Sequence, residues 1–165
     1  MAFEKKPYYN KKGSWQKKEP KVNEYKPKRG KLAPLMTEEQ KSTANIQDLS
    51  YDFACRIVRL YQYLNEDAEY REYTMSKQVY RSGTSIGANV REAQHAQSDN
   101  DVLSKMSISY KEADESNYWI RLLHDNGYLT DGMFSSLDSD NQRILRLLAS
   151  IVKTTKQKIE KSKEK

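Results

Sequence analysis

Arg81-Ser82-Gly83-Thr84-Ser85-Ile86-Gly87-Ala88-Asn89-Val90-Arg91-Glu92-Ala93 is the stretch whose reading decides the fold. Val79, Gly83, Ile86, Val90, Ala93 and Gln97 recur at spacings of 4, 3, 4, 3 and 4, which lays a narrow seam of small and apolar residues along one helical face. Ser82, Ser85, Asn89, Glu92 and Ala96 form a polar stripe beside that seam, and Lys77, Arg81, Ala88, Arg91 and His95 lie roughly opposite it. One face packs, one hydrogen-bonds and one is basic. Glycine inside a helix costs about 0.5–1 kcal/mol relative to alanine, so Gly83 and Gly87 imply close approach of a neighbouring helix. A phosphate-cradling loop is a poor alternative, because Gly83-x-x-x-Gly87 has no following Lys-Ser or Lys-Thr and no strand-like run before it. A membrane dimerisation motif fails as well, since no apolar run of about 18 residues surrounds the pair.

Working outward, Ile46, Leu49, Phe53, Ile57, Leu60 and Leu64 repeat at spacings of 3, 4, 4, 3 and 4 and give a complete core stripe for a helix beginning near Ile46. The central stretch belongs to a second helix over 73–96. Ser98 caps a third, with Asp99 and Asp101 in its first turn, the core stripe Met106, Tyr110, Ala113, Asn117 and Ile120, and a stop at Asn126-Gly127. Thr130 or Asp131 caps the last helix. Short connections between long helices favour antiparallel neighbours. The expected fold is therefore all-α: an antiparallel up-down-up-down four-helix bundle over 37–157, with a short helical turn opened by Thr37-Glu38-Glu39-Gln40. Ile144, Leu145, Leu147, Leu148, Ile151 and Val152 span too wide an arc for one seam, and Val58, Tyr61, Tyr118 and Trp119 sit beside their stripes. Soluble monomers avoid such patches, so a homo-oligomer is expected.

The formal charge of +6 is unevenly divided. Residues 1–34 hold 11 Lys or Arg against 3 Glu, residues 153–165 hold 6 Lys against 2 Glu, and the intervening chain holds 12 basic against 18 acidic residues. Basic tails flank an acidic body, which is a pattern of tails that seek polyanions or fold back on acidic surface. Residues 1–36 contain all four prolines and no helical periodicity, so this arm is expected to be disordered. The last helix is expected to run out into a lysine-rich end and fray, leaving a short basic tail over 158–165. In the arm Tyr8, Tyr9, Trp15 and Tyr25 interleave with Lys5, Lys6, Lys11, Lys12, Lys17 and Lys18. Aromatic rings stack on bases while the cations neutralise phosphates, which makes these residues, with Arg81 and Arg91 of the second helix, the candidates for RNA or DNA contact. A solubilising tail or a partner-docking peptide has the same composition. No secretory, membrane-spanning or lipidation signal is present, and the single Cys55 excludes a disulfide within the chain, so a reducing cytoplasm and no membrane association are expected.

The segments Arg81 to Ala93 and Tyr110-Lys111-Glu112-Ala113-Asp114-Glu115-Ser116-Asn117-Tyr118-Trp119-Ile120 resemble a bacterial four-helix-bundle family. That family includes proteins encoded in intervening sequences of large-subunit ribosomal RNA genes and accessory proteins of diversity-generating retroelements. The resemblance covers about Ile46 to Thr155. It implies a non-enzymatic bundle that assembles as a pentameric ring, and in the retroelement branch a partnership with a reverse transcriptase and nucleic acid. Relatives carry proline at the position of Gly87, which implies a bend between Gly83 and Gly87. It also marks Ser85, Asn89, Glu92 and Glu112 as a structural polar motif, in agreement with their place on stripes flanking the core, where buried polar groups survive only when paired.

Catalytic and metal readings are weaker. Glu92-x-x-His95 with Glu112 and Glu115 evokes di-iron bundles, but those require two Glu-x-x-His elements, and Arg121 occupies the matching position before His124. No catalytic residue, metal ligand or cofactor is assigned. Arg56, Arg59, Lys77, Arg81, Arg91 and His95 are grouped as a basic helix face that a solvated surface would also display. Two functions stand: a non-enzymatic oligomeric adaptor binding nucleic acid or a nucleic-acid enzyme such as a reverse transcriptase, or a scaffold binding only protein, with solubilising tails.

Overall fold

The computed structural model describes residues 8–9, 15–16, 32–67 and 71–164. Tyr8–Tyr9 (β1) and Trp15–Gln16 (β2) pair antiparallel, with Tyr9 opposite Trp15, so this part of the arm is laddered backbone rather than structureless chain. The helices are α1 (Glu38–Thr43), α2 (Ile46–Gln62), α3 (Met75–Ala93), α4 (Asp99–Asp125) and α5 (Asp131–Lys163). The four long ones form the expected bundle: α3 packs between α2 and α4, and α5 packs on α4 and returns to α2.

Each helix begins where a side chain satisfies its free N–H groups. The Asn45 side chain accepts from the N–H of Gln47 and Asp48, Ser98 from that of Asp101, and Thr130 from that of Met133. Helix α3 starts differently. The buried carboxylate of Glu72 accepts from the N–H of Thr74, Met75 and Ser76 at 2.8, 2.9 and 2.6 Å, placing a negative charge on the positive end of the helix. At the end of α4, Gly127 adopts φ 78°. Its N–H reaches the His124 carbonyl and that of Tyr128 reaches Leu123, the paired closure that releases the chain from a helix.

Leu49, Phe53, Ile57 and Leu60 of α2 meet Val79, Ile86 and Val90 of α3, as their sequence stripes predict, and Leu137, Ile144 and Leu148 of α5 close the interior. Helix α4 is rotated from its expected stripe: Met106, Ala113 and Ile120 are buried together with Ser109, Ser116 and Leu123 of the adjacent row, because the two serines turn in to hydrogen-bond α3, whereas Tyr110 is exposed and Asn117 is half-buried, its amide donating to Asp138. Three boundaries differ from expectation. Helix α3 runs unbroken through Gly83 and Gly87, because without proline every backbone N–H there can still donate. Helix α5 continues to Lys163, so 158–163 is helix rather than tail; Lys158 reaches Asp99 at 2.7 Å and Ile159 is buried. The arm also ends earlier than residue 36, since 32–44 form a strap with α1 that lies against α2 and α5.

At the α4–α5 corner His124 Nε2 lies 3.0 Å from Asp131 Oδ1, and its ring stacks on Phe134 with centroids 4.2 Å apart. The hydrogen bond to Asp131 raises the imidazole pKa above 6.5, partial burial opposes it, and Asp125 adds to the rise. A raised pKa in the folded state means that this stabilisation is complete below the unfolded value and is lost as pH rises through the folded one. The melting temperature is expected to fall between about pH 6 and 8, and to fall less in His124→Gln. Equal slopes for the two proteins would show that the pair contributes nothing.

Candidate interaction surfaces

The glycine seam of α3 faces α2. A Cβ on Gly83 would stand 2.7 Å from Cγ1 of the fully buried Ile57, and one on Gly87 would stand 3.4 Å from the Ser50 carbonyl oxygen. The neighbouring hydroxyl stripe faces α4, where Ser116 Oγ donates to Ser82 Oγ at 2.9 Å and Ser109 Oγ to the Ile86 carbonyl at 3.0 Å. All three serines are buried, and these bonds offset their desolvation.

The four residues of the polar motif do not satisfy one another as a set. Asn89 Nδ2 donates to the Ser85 carbonyl at 2.9 Å and to Ser85 Oγ at 3.2 Å, within α3. Glu92 turns outward and pairs with Lys105 across to α4 at 2.5 Å, an interaction that raises the lysine pKa through the hydrogen bond and the opposite charge. Glu112 is half-buried, and its Oε2 has no hydrogen-bond partner among the described residues. Burial raises its pKa most, Glu115 adds to the rise, and Arg81 and the Ser85 hydroxyl oppose it.

Of the candidate nucleic-acid residues, Lys5, Lys6, Lys11, Lys12, Lys17, Lys18 and Tyr25 lie outside the described residues, and Trp15 contributes its backbone to β2. Arg81 is exposed and bridges to Glu115 at 2.9 Å. Arg91 is exposed and lines a groove of about 590 Å³ between α2 and α3, floored near Gly87 and flanked by Tyr51, which is 69% exposed. The basic face grouped from sequence is therefore divided. Arg56 leaves it altogether, being 1% exposed.

Arg56 belongs to a buried ionic cluster beneath the strap. The carboxylate of Asp140 on α5 accepts from Arg56 Nη1 and from Lys41 Nζ, the latter at 2.5 Å. Arg56 Nε donates to the Leu32 carbonyl at 2.9 Å, and its Nη1 and Nη2 reach the Ser136 carbonyl and hydroxyl at 3.1 and 2.8 Å. Asp52 Oδ1 accepts from the Leu35 N–H at 2.5 Å, and Arg59 Nη1 donates to the Ala33 carbonyl at 2.8 Å. Sequence reading missed this cluster, although a signal existed: Arg56 and Asp140 both fall on the core stripes of their helices. Leu49, Phe53, Arg56 and Leu60 follow a 4, 3, 4 spacing, and Asp140 sits between Leu137 and Ile144.

The excess apolar surface of α5 is also redistributed. Ile144 and Leu148 are buried, while Leu145, Leu147, Ile151 and Val152 are partly buried against the core, as are Leu32, Ala44 and Ile46 of the strap region. Leu35 of the strap stays exposed, as do Tyr51 beside the α2–α3 groove, Tyr73 and Tyr80, and Ile108, Tyr110 and Tyr118 on α4. Among the described residues no three His, Cys, Asp or Glu side chains converge, and no helix is long and apolar enough to cross a membrane.

The family model of the 23S rRNA-intervening sequence protein matches residues 42–150. The chain belongs to the 23S rRNA-intervening sequence protein family. A crystal structure of a protein of unknown function from the S23 ribosomal protein family of Bacteroides thetaiotaomicron VPI-5482 is 48% identical. It covers 66% of this chain and 99% of its own, with a TM-score of 0.64. A comparison with curated proteins finds no match. The intervening-sequence protein match begins at residue 42, so the arm and the strap through Lys41 precede the part of the chain that defines the family.

Proposed function

We propose that this intervening-sequence protein is a non-enzymatic, cytoplasmic, oligomeric adaptor that binds RNA or DNA through its basic arm. The observation that carries the reading is the division of charge, 11 basic against 3 acidic residues in 1–34 on an acidic body. The buried contacts of the strap support it, because they fix the point at which the basic segment joins the bundle. Oligomerisation is supported by the tyrosine-bordered α2–α3 groove, which a helix of a second copy would cover. A pentameric ring, and a nucleic-acid enzyme such as a reverse transcriptase as partner, are the forms that the family resemblance suggests.

The test is filter binding of labelled single-stranded RNA and DNA to the full chain across a salt series. A variant with Lys5, Lys6, Lys11, Lys12, Lys17 and Lys18 changed to Gln is expected to bind more weakly. The slope of log K against log salt should become shallower by up to about 4, at about 0.7 per phosphate lost. Light scattering on the same sample should give a multiple of the 19.3 kDa chain mass. Oligomers with no salt-sensitive binding would leave a protein-only scaffold, and a monomer mass at micromolar concentration would remove the oligomer.

A further inference from the structure

The junction of strap and bundle holds a second, smaller pocket of about 260 Å³. Its polar lining among the described residues is Lys41 and Ser42 from α1 with Arg143 and Arg146 from α5, beside apolar walls and with no carboxylate among them. Glu38 stands nearby, accepting from Arg143 Nη2 at 3.0 Å and from Lys41 Nζ at 3.2 Å. Two observations set this pocket apart from an ordinary solvated basic surface. Arg143 Nη1 is buried and has no acceptor among the described residues, an arrangement that native proteins keep for few donors. Arg146 makes no ion pair among the described residues. In a body that carries more acid than base, three cations border one cavity; Asp140 and Glu38 offset Lys41 and Arg143, and Arg146 is left without a counter-charge among the described residues.

We propose that this pocket binds a phosphate group. Planar guanidinium forks match the oxygen spacing of phosphate, and a tetrahedral anion offers acceptors to several converging donors at once, which the orphaned Nη1 lacks. Glu38 acts as the resident competitor: its carboxylate holds Arg143 Nη2 and yields when a more highly charged anion enters. The inference rests in part on the nucleic-acid reading, because a phosphodiester of the backbone is one source of such a group and free phosphate is the other. The strap supplies Lys41 and Ser42 here and follows the basic arm in the sequence, so the two candidate phosphate contacts are close neighbours along the chain.

The experiment titrates the full chain with inorganic phosphate by calorimetry, using Arg143→Gln, Arg146→Gln and Glu38→Gln as variants. Arg146 is exposed, so its replacement leaves the fold intact. Saturable millimolar binding is expected for the unmodified chain, about tenfold or more weaker in either arginine variant, as the loss of a charge-assisted hydrogen bond predicts, and tighter in Glu38→Gln. No saturable phosphate binding, binding indifferent to both arginines, or weaker binding in Glu38→Gln would each overturn the proposal. A second arm measures an oligothymidine strand. If Arg146→Gln weakens it alongside phosphate, the source is a nucleic-acid backbone. If phosphate binds through the pocket while the strand does not bind at all, the pocket stands with free phosphate as its source and the nucleic-acid reading falls alone.

Discussion

Asp140→Ala is expected to destabilise the fold by about 3–5 kcal/mol, the usual effect of removing one partner from a buried ionic set. Asp140 is 7% exposed, and its carboxylate faces Arg56 at 1% and Lys41 at 3%. Without it the guanidinium keeps its bonds to Leu32 and Ser136, and the lysine keeps Glu38, but the two buried cations lose the one carboxylate that pairs with both; buried Asp52, one turn before Arg56, accepts from the Leu35 N–H and makes no ion pair among the described residues. Asp140→Asn retains an acceptor and should lose less. A combined Lys41→Met, Arg56→Met, Asp140→Leu chain should recover most of the stability, because an apolar replacement of a whole buried set is often neutral. Chemical denaturation checks all three. A loss under about 1 kcal/mol in Asp140→Ala would mean that water enters beneath the strap and solvates the cations.

Gly83→Leu should destabilise by about 1–3 kcal/mol or more, and even Gly83→Ala should fail to gain the stability that alanine ordinarily brings to a helix. The first added carbon would meet Ile57 at 2.7 Å from Cγ1, 3.0 Å from Cγ2 and 3.2 Å from Cβ. Those atoms are the branched root of a stiff, fully buried side chain, so they cannot swing aside as the end of a lysine would. Gly87→Ala is the internal control. Its added carbon meets nothing closer than the Ser50 carbonyl oxygen at 3.4 Å, and helix propensity should make it stabilising by about 0.5–1 kcal/mol. In a double-mutant cycle Ile57→Ala should relieve part of the Gly83→Ala loss; strict additivity would place the strain elsewhere.

What could be read from the sequence was what repeats locally. The stripes of α2 and α3, the caps at Ser98 and Thr130 and the stop at Gly127 all depend on residues within one or two turns of each other. Glu72 shows where that reading fails: nothing in its local spacing marks it as a cap, yet its carboxylate anchors three N–H groups of α3. Arg56 and Asp140 fail for another reason. A search for apolar periodicity discards charged residues on a core stripe, although a charge in that position asks for a buried partner. The strap has no long period at all, so nothing local announces that Leu32, Leu35 and Lys41 meet the bundle. Of the candidate site, Arg81 and Arg91 stayed exposed while Glu92 and Glu112 found other neighbours than the polar motif, because hydrogen-bond partners across helices depend on rotation and rise that spacing alone does not fix.

The strap also sets an order of events during synthesis. Lys41 and Asp140 are 99 positions apart, and Arg56 and Asp140 are 84 apart, whereas α2, α3 and α4 follow one another directly along the chain. A ribosome adding about 5–20 residues per second needs several seconds between translating Lys41 and Asp140. For that interval Lys41 has only Glu38, and Arg56 lacks the carboxylate that pairs with it in the folded chain. The ionic cluster therefore closes late, and the strap takes its final seat only after α5 has been made.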